Sequence, residues 1–166
     1  YARIQNAQDK ANGLYPVVES NVDDPSSHEV IDETPPVVDP STGVVSDFNS
    51  LYEENDDTIG HISISGTKLS TPVVQGDDNE FYLNHNFFRE STLGVPFADY
   101  RASISQDYTS NNVTIYGHAA KDGSYFAPIK EYRTLSYYKE HPIINFDTIF
   151  DGKGRYKIIG ALIAKV

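Results

Sequence analysis

The sequence predicts a mostly β domain, an antiparallel barrel or sandwich with short helices inserted between its strands. Three observations carry this reading. Short segments of apolar alternation recur from Thr58 onward, turns rich in Asp, Asn and Gly separate them, and no regular exchange of strand with long helix marks a parallel sheet.

The elements follow in order. Asp47 to Asn55 reads as a short helix, with Asp47 as its cap, Phe48 and Leu51-Tyr52 on one side, and Asn55-Asp56-Asp57 as its stop. Ile59, Ile62 and Ile64 form a first strand; Gly66-Thr67 turns it into a second over Lys68 to Val74, where Pro72 suggests an edge or a bulge. Asp77-Asp78-Asn79 starts a helix that contributes Phe81, Tyr82 and Leu83. Gly94 to Tyr100 reads as a strand, and a polar loop leads to another over Asn112 to Tyr116. Phe126 to Tyr138 has helical spacing with Pro128 near its start. Ile143 to Phe150 and Tyr156 to Val166 read as two further strands joined at Asp151-Gly152-Lys153-Gly154, the last of them apolar enough to expect burial.

Charge divides the chain. Up to Asp57, 13 acidic residues face only Arg3 and Lys10, so the whole net charge of −11 belongs to the first third of the 166 residues; from Thr58 on, 11 acidic residues meet 11 basic ones. The same acidic segment holds Pro16, Pro25, Pro35, Pro36 and Pro40. Self-repelling, proline-rich and poor in aromatics, it cannot bury enough apolar surface to offset the entropy of ordering it, which predicts an extended linker. Ala2, Ile4, Ala7, Ala11 and Leu14 lie at roughly helical spacing, as at the end of a helix. The expected division is therefore 1–46, a helix end and linker, and 47–166, a globular domain.

Several function classes are disfavoured. No Lys/Arg cluster suggests a nucleic-acid surface, no run of about 18 apolar residues suggests a membrane span, and no His or carboxylate spacing suggests a metal. Without Cys there are neither disulfides nor thiolate ligands. No cofactor is expected.

The stretch with most chemical content is Asn112-Val113-Thr114-Ile115-Tyr116-Gly117-His118, followed by Lys121-Asp122-Gly123-Ser124-Tyr125-Phe126. Alternation ends at Gly117 and sets the His118 imidazole at a strand end, where it can face a cleft and both give and take a proton near neutral pH. Taken alone, a strand-end histidine is commonly structural. It stands, however, in a series: Thr58 to Thr67, Thr71 to Leu83 with Gln75-Gly76-Asp77-Asp78-Asn79, then Lys139-Glu140-His141-Pro142 and Ile144-Asn145-Phe146-Asp147-Thr148.

In that order and spacing the series resembles a class B sortase, a cysteine transpeptidase of Gram-positive cell surfaces, from about Phe48 to Val166. The resemblance implies a barrel fold and a reaction that cleaves a C-terminal sorting signal and joins the protein to a cell-wall or pilus amine. It implies that His118 protonates the leaving amine and takes a proton from the incoming one. It places Asn79, Leu83 and Tyr116 against the sorting-signal peptide, although Leu83 and Tyr116 read equally well as core packing. It also implies a membrane anchor upstream of residue 1 and a cell-surface location. His61 stands where relatives often carry Trp and carries no catalytic hint; Ala119-Ala120 replace larger or polar residues and suggest an open loop.

The family's Cys and Arg lie in strands after the histidine strand, and this sequence has no Cys and no Met. The expectation is a chain that ends inside its domain, before the strands bearing both groups. By itself it should be inactive, with the edge of its last strand covered by another chain or by further strands. The alternative is a non-catalytic sortase-like module that binds a peptide or partner without cutting it.

Overall fold

The computed structural model describes residues 35–150 and 152–164. The helix read over Tyr1 to Leu14 and most of the acidic linker lie outside them.

Six strands form one curled sheet, a half-barrel: β1 (Thr58–Ser63), β2 (Ser70–Val74), β3 (Phe97–Ala98), β4 (Ile115–Tyr116), β5 (Ile143–Thr148) and β6 (Arg155–Lys157). Their order is β4-β3-β2-β1-β5-β6. All neighbours are antiparallel except β2 and β3, which meet in parallel at Val74↔Phe97. Pro72 therefore sits in an interior strand, not at an edge. The sheet accommodates it because the registered pairing with β3 lies two residues further on, so no ladder bond is demanded of the missing N–H.

Alternation along the strands divides the core. Val74 and Phe97 face one cluster with Phe48, Leu51, Tyr82, Phe87, Val95 and Ile149, while their neighbours Val73 and Ala98 face another with Ile62, Ile64, Leu69 and Phe146. A register break between Thr58 and Gly60 lets both Ile59 and Ile62 reach the second cluster, which strict alternation would forbid.

Helices are short. A 3-10 turn (Ser46–Phe48) runs into α1 (Asn49–Glu54), and Asp47 makes no capping bond. Asp47 lies inside the 3-10 turn, two residues past Val45, the position from which a side chain can cap it. The core also begins earlier than the residue-47 boundary: Val44 and Val45 are buried against Phe48, and Val38 bridges Val45. Two valines without periodicity in a proline-rich segment carry no sequence signal for burial. The segment read as one helix from Phe126 to Tyr138 is two, a 3-10 helix (Ala127–Arg133) and α2 (Leu135–Glu140), because Thr134 takes an extended conformation, φ −111° and ψ 137°.

The expectation of a buried strand over Tyr156 to Val166 is corrected. Pairing stops at Lys157, and Ile159, Leu162 and Ile163 are 99%, 98% and 81% exposed. β6 has β5 on one side, and apolar composition buries a segment only where a second surface meets it.

Buried Asn55 joins the helical entry to the rest of the core. Its Nδ2 donates to Tyr82 Oη at 3.1 Å and to the Phe87 carbonyl at 2.8 Å, while its Oδ1 accepts from the Asp57 amide at 3.0 Å. Asn55→Ala leaves those groups short of partners and is expected to cost about 2 kcal/mol. A urea titration checks it: the midpoint should fall with the slope unchanged.

Candidate functional site

His118 follows β4 across Gly117. A Cβ on Gly117 would come within 2.8 Å of the Phe126 ring, so any larger residue here requires that ring to move. The loop beyond is closed on itself: Ala119 bridges Tyr125, the Phe126 amide donates to the His118 carbonyl at 3.0 Å, and Lys68 Nζ donates to the Asp122 carbonyl at 2.9 Å. The open loop expected from Ala119-Ala120 is thus corrected, since Ala120 packs against the core. Backbone pairing holds this loop where large side chains are lacking.

The imidazole of His118 is half-buried, with Nε2 2.8 Å from the Leu83 carbonyl oxygen. A carbonyl only accepts, so Nε2 carries a hydrogen and, in the neutral ring, Nδ1 is the basic nitrogen. One nitrogen orients the ring while the other can exchange a proton.

Leu83 ends a 3-10 turn (Phe81–Leu83) whose entry is fixed by Asp78, its Oδ1 accepting from the Glu80 and Phe81 amides at 2.8 Å each. Those two bonds hold the Asp78 carboxyl below the usual carboxylate range. The helix start read at Asp77-Asp78-Asn79 is present, although one turn long. Behind it, buried Tyr82 donates to Asp57 Oδ2 at 2.5 Å, and Arg89 bridges Asp56 and Asp57 at 2.5 and 3.0 Å. The carbonyl that orients His118 is therefore mounted on an anchored tyrosine.

On the other side of the turn lies a polar cluster centred on Asp99, at the end of β3. Asp99 Oδ2 accepts from Asn79 Nδ2 at 3.1 Å and from Tyr116 Oη at 3.0 Å, and Arg101 donates to both carboxylate oxygens at 2.8 and 2.6 Å. The Arg101 bonds, ahead of those from Asn79 and Tyr116, hold the Asp99 carboxyl far below its ordinary value, and Asp99 in turn raises the Tyr116 phenol. Tyr116 is fixed from below by pairing with Phe97, ring centroids 5.3 Å apart.

The four sequence-predicted residues fall into two bonded groups: His118 on the Leu83 carbonyl, and Asn79 with Tyr116 on a shared carboxylate. Leu83 and Tyr116 are 39% and 36% exposed, so neither is a buried core residue, although the Tyr116 ring rests on buried Phe97. Sequence reasoning missed Asp99 and Arg101. Their signal was a carboxylate ending an apolar strand with an arginine two residues on. His61 is wholly buried in the sheet, His85 stacks on Phe81, and His141 lies against Tyr137 with Nδ1 2.8 Å from the Ser65 carbonyl oxygen. No metal-binding group of His, Cys, Asp or Glu occurs among the described residues, and none of their helices is long and apolar enough to cross a membrane.

Comparison with known proteins adds a lineage. No protein-family model matches the chain. Sortase B of Staphylococcus aureus is 38% identical over 112 residues, which cover 67% of this chain and 44% of that protein. Among solved structures, the Staphylococcus aureus sortase B–substrate complex superposes with a TM-score of 0.70 at 31% identity, covering 94% of this chain and 61% of that one. A sortase B complexed with triglycine superposes equally, TM-score 0.70 at 30% identity, covering 94% and 62%. The chain spans less than half the length of the curated sortase B it matches. Sequence identity and a shared half-barrel together place this chain in the class B sortase family.

Proposed function

We propose that this chain supplies the peptide-binding face and the histidine of a sortase B-type transpeptidase, which cleaves a C-terminal sorting signal and joins the protein to a cell-wall or pilus amine. The observation that supports it is the bonding of His118 to the Leu83 carbonyl and of Asn79 and Tyr116 to one carboxylate, in a fold shared with a sortase B–substrate complex and with a sortase B holding triglycine. On this reading a peptide lies over Leu83, bonded by Asn79 and Tyr116. His118 donates a proton to the departing amine and recovers one from the incoming amine, through the nitrogen not bonded to Leu83. The same reading puts the protein on the outer face of a Gram-positive cell membrane, with the residues ahead of the core that begins at Val44 as spacer and the remainder as catalytic-domain portion.

The 166 residues hold no Cys, so the thiolate that forms the acyl-enzyme has to come from elsewhere. That fact favours a second reading for the isolated polypeptide, peptide binding without cleavage.

The test is fluorescence polarisation of the chain with a panel of C-terminal sorting-signal peptides. At least one should bind, and Asn79→Ala and Tyr116→Ala should each weaken it about tenfold, the worth of one hydrogen-bonded contact. Absence of binding across the panel, or binding that ignores both substitutions, would overturn the proposal. Turnover by the unaided polypeptide would overturn the assigned mechanism.

A further inference from the structure

We infer that Asp99 is a positioning residue, the single carboxylate that aims Asn79 and Tyr116 at whatever lies over Leu83; the inference rests on the peptide-binding reading above. The geometry carries it. Asn79 precedes the 3-10 turn and Tyr116 lies on β4, two elements far apart in the chain, yet both side chains meet at Oδ2 of Asp99, at 3.1 and 3.0 Å.

The carboxylate itself is fixed on all sides. Its amide donates to the Thr114 carbonyl at 2.8 Å, its carbonyl accepts from Gln75 Nε2 at 2.8 Å, and Arg101 grips both carboxylate oxygens. Asn79 is clamped through its other end as well, Oδ1 accepting from the Tyr100 amide at 3.1 Å. An ionised carboxylate accepts and never donates, so it turns the Asn79 amide nitrogen and the Tyr116 hydroxyl hydrogen inward. The remaining amide hydrogen of Asn79, and the part of the Tyr116 oxygen that Arg101 does not occupy, are left for a ligand. A charge 5% exposed is costly unless bonded, and here the bonds it demands orient two polar side chains of the surface. Arg101, 70% exposed in its side chain, balances the charge from the solvent side.

The experiment uses the whole chain and Asp99→Asn, which keeps the shape but presents an amide to two donors. In the wild-type chain, NMR should show the Asn79 side-chain amide as one sharp, dispersed pair. The Tyr116 ring carbon should titrate above the ordinary tyrosine value. In Asp99→Asn the Asn79 pair should collapse toward the random-coil position and Tyr116 should titrate lower, while any peptide captured by the wild type binds about tenfold more weakly. Unchanged Asn79 and Tyr116 signals in the variant would overturn the inference. Should the variant not fold, the wild-type titration decides alone: Tyr116 at the ordinary tyrosine value overturns it. Failure of every peptide to bind strikes the peptide-binding reading and leaves the NMR result on Asp99 standing, so the two failures are distinguishable.

Discussion

Between pH 6.5 and pH 4 the chain should lose about 3 kcal/mol of unfolding free energy through one side chain, His61. The residue sits in β1, the strand flanked by both β2 and β5, opposite Pro72 and Asp147, and is 1% exposed. Burial pulls its imidazole down to about 4 from the ordinary 6.5, because the sheet strips water from the charged ring. The unfolded chain thus binds a proton near pH 6.5 that the folded chain refuses until about pH 4. Stability is complete above the higher value and falls as pH drops through the window, by at most about 1.4 kcal/mol per pH unit. Urea unfolding at several pH values would show the slope, and His61→Leu should flatten it. Asp56 and Asp122, held below the carboxylate range by bonds from Arg89 and Ser124, lose their contribution from about pH 5 downward, so the His61 slope is read between about pH 6.5 and 5. A wild-type profile as flat as that of the leucine variant would refute the assignment.

How much of this was legible in the sequence depended on whether the signal was local. β1, β2 and β5 announced themselves by alternation and turn residues, and Asp78 announced the 3-10 turn, because each is decided within a few residues. His118 was legible for the same reason, a strand that ends at glycine. What escaped depends on partners distant in the chain. Val44 and Val45 are core only because Phe48 and Ile149 meet them; Pro72 is interior only because β3 pairs beyond it. Thr134 divides a helix that spacing alone drew as continuous. The apolar run after Lys157 misled in the opposite sense: composition reports what a segment would gain by burial, not whether a surface is there to receive it. At the site, resemblance supplied Asn79, Leu83 and Tyr116 one by one. The carboxylate that joins two of them lay 17 and 20 residues away and was invisible to spacing.

Gly94→Ala should be among the most damaging single substitutions in the chain, and its damage should reach His118. A methyl group at this buried position would overlap the Tyr82 carbonyl oxygen and stand 2.6 Å from the Leu83 carbonyl oxygen and 2.7 Å from the Leu83 carbonyl carbon. All three are backbone atoms, so no rotamer change relieves the clash. Either the segment leading into β3 moves out or the 3-10 turn (Phe81–Leu83) moves away. The first is resisted by the Val95 amide, which donates to the His85 carbonyl at 3.1 Å, and by Val95 itself, which is buried. The second is resisted by Tyr82, whose hydroxyl is bonded to Asp57 and Asn55. With both exits held, the cost should exceed the usual range for overpacking and reach roughly 4 kcal/mol. Because the displaced atom is the carbonyl oxygen that accepts from His118 Nε2, the imidazole loses its orienting bond even in molecules that stay folded. Urea unfolding measures the first effect and the His118 ring signals in NMR the second. Tight backbone approach predicts both together; a stable Gly94→Ala chain with His118 unmoved would show that the turn yields freely, and that Leu83 does not hold the histidine in place.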